Sequence, residues 1–171
     1  CMDRTVSVYS TDRISPVRLL TGHSSDITSV AWHDNATLLA SGSEDKSVRI
    51  WDFRTGNTVR LLAASKGPIS SVAISPVGDK LAAGSDNGMI HVWDIALGKH
   101  TAILQGHSGP VHSVGFSSEG THLVSGSGDT SVRVWDLHGG APVPETAAAK
   151  AQSEVAVLQP QYSFFTKKSP V

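Results

Sequence analysis

Val48-Arg49-Ile50-Trp51-Asp52 decides how this chain is read. Val48 and Ile50 fall on one face and Arg49 and Trp51 on the other, the period-two pattern of a strand. The Trp-Asp pair returns at Trp93-Asp94 and Trp135-Asp136, an interval of 42 residues each time, and Tyr9-Ser10 stands one interval earlier. The register holds elsewhere too: Val30, Val72 and Val114 correspond, as do Leu39, Leu81 and Leu123, and Gly42, Gly84 and Gly126. Within the first full interval, Ile27–Trp32, Leu38–Ser43 and 59–62 are short apolar runs, set apart by turn residues at Asp34-Asn35, Glu44-Asp45-Lys46 and Thr55-Gly56-Asn57. Such runs, rich in β-branched residues and bounded by Gly, Asn and Asp, favour strands over helices, and no helix is expected before residue 140.

An interval of 40–45 residues ending in Trp-Asp is the sequence signature of a propeller blade with four strands. The expected fold class is therefore all-β, a partial β-propeller of about four blades. Residues 1–137 carry one partial and three full intervals; 138–160 form a Pro/Ala-rich insertion loop, whose Ala147 run has room for a helical turn or two; 161–171 resume the β pattern as the last strand of a blade and the approach to the next. The chain opens on Cys1, not Met, and Cys1 aligns with Ser43, so it is expected to be a piece of a longer protein with further blades at both ends.

Composition excludes several classes. Fourteen Lys+Arg against 15 Asp+Glu give a formal net charge of −1, which speaks against a broad electrostatic grip on nucleic acid or anionic lipid. No apolar run approaches the roughly 18 residues of a membrane span. A single cysteine cannot make an internal disulfide, which suits cytosol or nucleus. No cluster of the eight histidines has metal-ligand spacing, and Ser125-Gly126-Ser127-Gly128-Asp129 lacks the Lys and helix of a phosphate loop. Neither metal nor cofactor is expected.

Over residues 1–137 the chain resembles the WD-repeat (WD40) family. The resemblance implies a polar network of His23, Ser41, Asp45 and Trp51 in one blade and His107, Ser125, Asp129 and Trp135 in another, with Ser43 and Ser127 as alternates for the serine. A hydrolase reading of Ser, His and Asp is set aside because the set occurs at the same place in two blades, whereas catalysis needs one site with its own oxyanion hole and cleft. No enzyme activity is expected. Trp93 marks the middle blade, where Ala64-Ser65 stands for Gly-His, Ala83 for the serine and Asn87 for the aspartate. That blade is expected to rely on packing and backbone pairing alone, or on Asp86. His33 reads as a solvated or turn-capping residue.

What remains is a ring that presents loops, with Asp26, Glu44, Lys66 and Asp86 as candidate partner contacts on one rim. Lys66 alone opposes three acidic groups, which argues against phosphate recognition. A narrower resemblance rests on Trp32-His33-Asp34-Asn35, on the insertion after Trp135-Asp136 and on Thr166-Lys167-Lys168-Ser169-Pro170-Val171. These are similar to the carboxyl-terminal region of the TBP-associated factor family, subunit five, of transcription factor TFIID. That resemblance implies about four of seven blades and a non-catalytic nuclear scaffold in TFIID, and in SAGA, that docks histone-fold TBP-associated factors for transcription initiation. It implies neither sequence-specific nucleic-acid binding nor membrane binding. The alternative is a substrate receptor or adaptor of another complex, such as a ubiquitin ligase.

Overall fold

The computed structural model describes residues 3–63 and 65–137, together with two later strands at 156–158 and 162–165. Of the expected insertion at 138–160, residues 138–155 and 159–160 lie outside the described residues, as does the 166–171 motif. Among those described, fifteen strands form four sheets. The first sheet pairs β1 (Thr5–Val8) with β2 (Arg18–Thr21). The second is an antiparallel meander of β3 (Ile27–Trp32), β4 (Leu38–Ser43), β5 (Val48–Asp52) and β6 (Thr58–Leu62). The third repeats it with β7 (Ile69–Ile74), β8 (Lys80–Ser85), β9 (Ile90–Asp94) and β10 (His100–Leu104), and carries a further outer strand, β14 (Ala156–Leu158), inside the stretch read as insertion loop. The fourth holds β11 (Val111–Phe116), β12 (His122–Ser127) and β13 (Ser131–Asp136), with β15 (Tyr162–Phe165) as its fourth strand. The chain is all-β, consistent with a partial β-propeller.

The core is divided among the joints between sheets. Trp51 packs with Val6, Leu20 and Leu39, where the second sheet meets the first. Trp93 packs with Val48, Ile50, Leu62, Ile69 and Leu81, between second and third. Trp135 joins Ile90, Val92, Leu104, Val111 and Leu123 between third and fourth. Alternation on β5 thus sends its two faces to two different joints, because each blade must bury apolar surface on both sides.

Glycine sets how closely the sheets approach. A Cβ on Gly42 would stand 2.5 Å from Ile69 Cγ2, and one on Gly84 2.7 Å from Val111 Cγ1, so the next blade's inner strand lies where any side chain would be. Hydroxyl groups then tie that contact. The register of β3 against β4 shifts between Ile27 and Ser29, and the bulge turns Thr28 so that its Oγ1 donates to Ile69 O at 2.6 Å in the neighbouring sheet. The same shift in β7 lets Ser70 Oγ reach Val111 O. Ser29 Oγ accepts from Val72 N at 3.1 Å, and Ser71 Oγ from Val114 N at 3.3 Å, one interval apart.

These hydroxyls are expected to stabilise the joints measurably. Thr28→Val and Ser70→Ala should each lower stability by about 0.5–1.5 kcal/mol, the usual net value of one hydrogen bond. Urea melts with unchanged midpoints would show that the inner strands are held by packing alone.

Candidate functional site

In the second sheet β4 and β5 pair Leu39 with Trp51 and Ser41 with Arg49, which puts Ser41 and Trp51 on one face as diagonal neighbours. Trp51 Nε1 donates to Ser41 Oγ at 2.8 Å, and Ser41 Oγ lies 2.8 Å from His23 Nε2. His23 Nδ1 lies 2.7 Å from Asp45 Oδ2. A carboxylate only accepts and an indole N–H only donates, so the relay runs from Trp51 through Ser41 and His23 to Asp45. The fourth sheet repeats it: Trp135 Nε1 to Ser125 Oγ at 2.8 Å, Ser125 Oγ to His107 Nε2 at 2.7 Å, and His107 Nδ1 to Asp129 Oδ2 at 2.9 Å. Asp45 Oδ2 also accepts from Ser24 N at 3.0 Å, so the carboxylate holds the loop that brings His23 to the sheet. Ser43 is not the relay serine: its Oγ donates to Asp26 O at 2.8 Å. Ser127 likewise donates to Gly109 O.

Two members escaped the sequence reading. Ser47 Oγ donates to Asp45 Oδ1 at 2.5 Å, and Ser131 Oγ to Asp129 Oδ1 at 2.6 Å. Their signal was the Asp-x-Ser spacing in Asp45-Lys46-Ser47 and Asp129-Thr130-Ser131. The middle residue of that turn takes the left-handed conformation, φ 69° at Lys46 and 67° at Thr130. A β-branched Thr is costly there, and the two bonds from Ser131 to Asp129 fix the turn around it.

Burial is the largest single influence on the Asp45 carboxyl and opposes ionisation. Hydrogen bonds from Ser47, His23 and Ser24 together outweigh it and hold the group at about 2, below the ordinary 3.8. The same balance, with Ser131 and His107 as donors, depresses Asp129 further. The connectivity is that of a hydrolytic triad, but Ser41 is fully buried and its oxygen is already shared between an indole and an imidazole. A nucleophile needs an open approach to a carbonyl.

The third sheet corrects the expectation placed on it. Ser65 Oγ donates to Ser85 Oγ at 2.9 Å, and Ser85 Oγ to Pro68 O at 2.9 Å, so a short serine relay ties the loop to β8. Asp86 is exposed and contributes its backbone N–H to Pro68 O. Trp93 stacks beside His91 and His100 with centroids 5.7 and 5.1 Å away. His91 and His100 occupy the positions of Arg49 and Thr58 one interval earlier, and His91 Nδ1 meets His100 Nε2 at 3.1 Å. His33 caps its turn by accepting from Asn35 N, and its Nε2 also contacts Gly78 O in the next sheet at 3.0 Å.

The four rim residues lie on the loops and turns at one end of the strands. Glu44 N donates to Asp26 O, Asp86 N to Pro68 O and Gly128 N to Pro110 O, at 3.0, 3.0 and 2.8 Å. In each of three blades the loop leading in is thus bonded to the turn between the second and third strands. Glu44, Lys66 and Asp86 are exposed and Asp26 is half-buried.

The model of the WD domain, G-beta repeat family matches residues 14–52, 56–94 and 98–136, more than half of the chain. The chain belongs to the WD-repeat family. WD-repeat domains are modules of protein–protein contact. Three curated proteins are similar to the chain over short stretches. Transcription initiation factor TFIID subunit 5 of Caenorhabditis elegans is 37% identical over 54 residues, 32% of this chain and 8% of that protein. Nuclear distribution protein PAC1 of Coprinopsis cinerea is 48% identical over 44 residues, 26% of this chain and 10% of that protein. Polyadenylation factor subunit 2 of Neurospora crassa is 43% identical over 54 residues, 32% of this chain and 8% of that protein. In each pair, the aligned stretch of the chain spans a tenth or less of the relative.

Two outcomes follow from this geometry. Asp45→Ala strands His23 and Ser24 and should cost about 1–3 kcal/mol; Asn87→Ala, in the blade without a histidine partner, should cost less, and equal losses in urea would contradict the relay. The second concerns acid. Burial first, and His100 second, push the His91 imidazole from 6.5 down to about 4, so the fold favours the neutral ring. An unfolded chain takes up that proton at higher pH, so the stabilisation is present above about 6.5 and is lost as pH falls toward 4. Replacing the pair by His91→Arg with His100→Thr, the residues of the preceding blade, should flatten the thermal midpoint over that window. An unchanged acid loss would assign it elsewhere.

Proposed function

We propose that this chain is part of a non-catalytic WD-repeat scaffold that docks protein subunits through the rim carrying Asp26, Glu44, Lys66 and Asp86. One observation carries the reading: in three successive blades the approach loop and the adjacent turn are joined by the same backbone hydrogen bond, from Glu44, Asp86 and Gly128. Fixed loops offer side chains at little ordering cost, which favours recognition by a rigid partner. Three of these four residues are acidic, which favours a basic protein surface as their complement.

The more specific assembly we infer is a TFIID-type transcription complex, with the nucleus as the place of action and histone-fold subunits as partners. The stretch similar to TFIID subunit 5 and the sequence at 161–171 support it. SAGA is a second complex of the same reading. Nuclear distribution protein PAC1 and polyadenylation factor subunit 2 are similar over stretches of comparable size, which keeps an adaptor role in another complex as the second reading.

The test is triple charge reversal, Asp26→Lys with Glu44→Lys and Asp86→Lys, in the full-length protein. Glu44 and Asp86 are exposed, where such changes typically shift stability by no more than about 0.5 kcal/mol, and Asp26 is half-buried; circular dichroism is the folding control and should not change. Pull-down of the histone-fold pair by the wild type and its loss in the variant is the expected result. Binding unchanged by the reversal moves the contact to another face. No binding by the wild type removes the transcription-complex reading and leaves the adaptor.

A further inference from the structure

The outer strands β2, β6 and β10 are equivalent positions in three successive sheets, yet they are finished differently. In β2, Arg18 donates from Nη2 to Arg54 O at 2.9 Å, and in β6 Arg60 donates from Nη2 to Ala96 O at 2.7 Å. Each arginine reaches from one blade's outer strand to the next blade's loop and closes the joint at its periphery. One interval later the residue is Ala102, which has no such reach. There β14 is added instead, running parallel to β10 with Ala102 opposite Ala156, Ile103 opposite Val157 and Leu104 opposite Leu158. Among the described residues neither β2 nor β6 has a strand on its outer edge. Leu19 and Leu61, on those open strands, are 59% and 55% exposed, whereas Ile103 at the same register is half-buried.

We propose that the outer edge of β10 is a strand-addition site for an extended, uncharged aliphatic polypeptide, and that the chain's own Ala156–Leu158 is its built-in competitor. An edge strand presents unpaired N–H and C=O groups, and a peptide that pairs with them gains affinity from the backbone and selectivity from alternate side chains. Here the intramolecular occupant shows the orientation and the residue class that the edge accepts. Among the described residues this pairing covers Ala102–Leu104 of β10, which runs from His100 to Leu104. The resident strand is favoured by proximity, since only residues 159–161 separate it from β15 in the fourth sheet, which keeps its effective concentration at the edge high. The edge is therefore closed to weak ligands and open to a matching segment that binds more tightly than the resident strand.

Hydrogen–deuterium exchange and a peptide probe test this in the full-length protein, comparing the wild type with a variant carrying Ala156→Gly, Val157→Ser and Leu158→Gly. In the wild type, the segment His100–Leu104 should exchange more slowly than the equivalent Thr58–Leu62, whose outer edge carries no strand among the described residues. In the variant the two should converge, with an unchanged far-ultraviolet spectrum. A synthetic peptide of residues 154–161, followed by fluorescence anisotropy, should bind the variant at least ten-fold more tightly than the wild type. Equal exchange of His100–Leu104 in both proteins, or equal or absent peptide binding to both, overturns the proposal.

Discussion

A four-stranded sheet with apolar residues on both faces can bury them only against its neighbours. That constraint organises the chain. The three apolar clusters sit between sheets and never within one, and each Trp of a Trp-Asp pair fills the joint with the preceding blade. Gly42 and Gly84 let the next inner strand come within contact of the backbone. Once the sheets stand that close, single hydroxyls on Thr28 and Ser70 can bridge them. Stability in such an array is approximately a sum of unit and neighbour terms, and here the neighbour terms hold most of the large buried side chains.

The polar relay serves the same constraint from the other side. Loops that lead from one blade to the next must be held without apolar surface, and a buried His bonded at both ring nitrogens does this at His23 and His107. Fully satisfied buried networks are rigid, and a partly satisfied one is costly. The third sheet, without the histidine and aspartate, reaches the same end with Ser65 and Ser85 over a shorter span. The rim above these anchors is consequently stiff, which is the physical basis for treating it as a docking edge.

Much of this was legible in the residues. The 42-residue interval and the alternation of Val48-Arg49-Ile50-Trp51 were enough to place strands, blades and the faces of β5, because both follow from side-chain geometry. The His, Ser, Asp and Trp positions were legible through family resemblance. Other features were hidden for physical reasons. Thr28 and Ser70 look like any polar residue in a strand until a bulge turns them across the joint. Ser85 aligns with Ser43 and gives no sign that it receives Ser65. His91 and His100 are nine positions apart and meet only because a hairpin folds them together. Ala156-Val157-Leu158 is too short to show a period, and its pairing partner lies more than fifty residues back. Rim residues carry no signal of their partner, since a solvated loop and a docking loop have the same composition.

The account's central claim is that the joint between blades is the energetic unit. A double-mutant cycle of Gly84→Ala with Val111→Ala measures it directly, because the new Cβ at position 84 meets Val111 Cγ1 at 2.7 Å and these residues belong to different sheets. Urea unfolding of the four proteins in the full-length background should show that Gly84→Ala is destabilising beside Val111 and much less so beside Ala. The expected interaction energy is within the range of about 0.5–3 kcal/mol seen for residues in contact. Strict additivity of the two substitutions would contradict the claim.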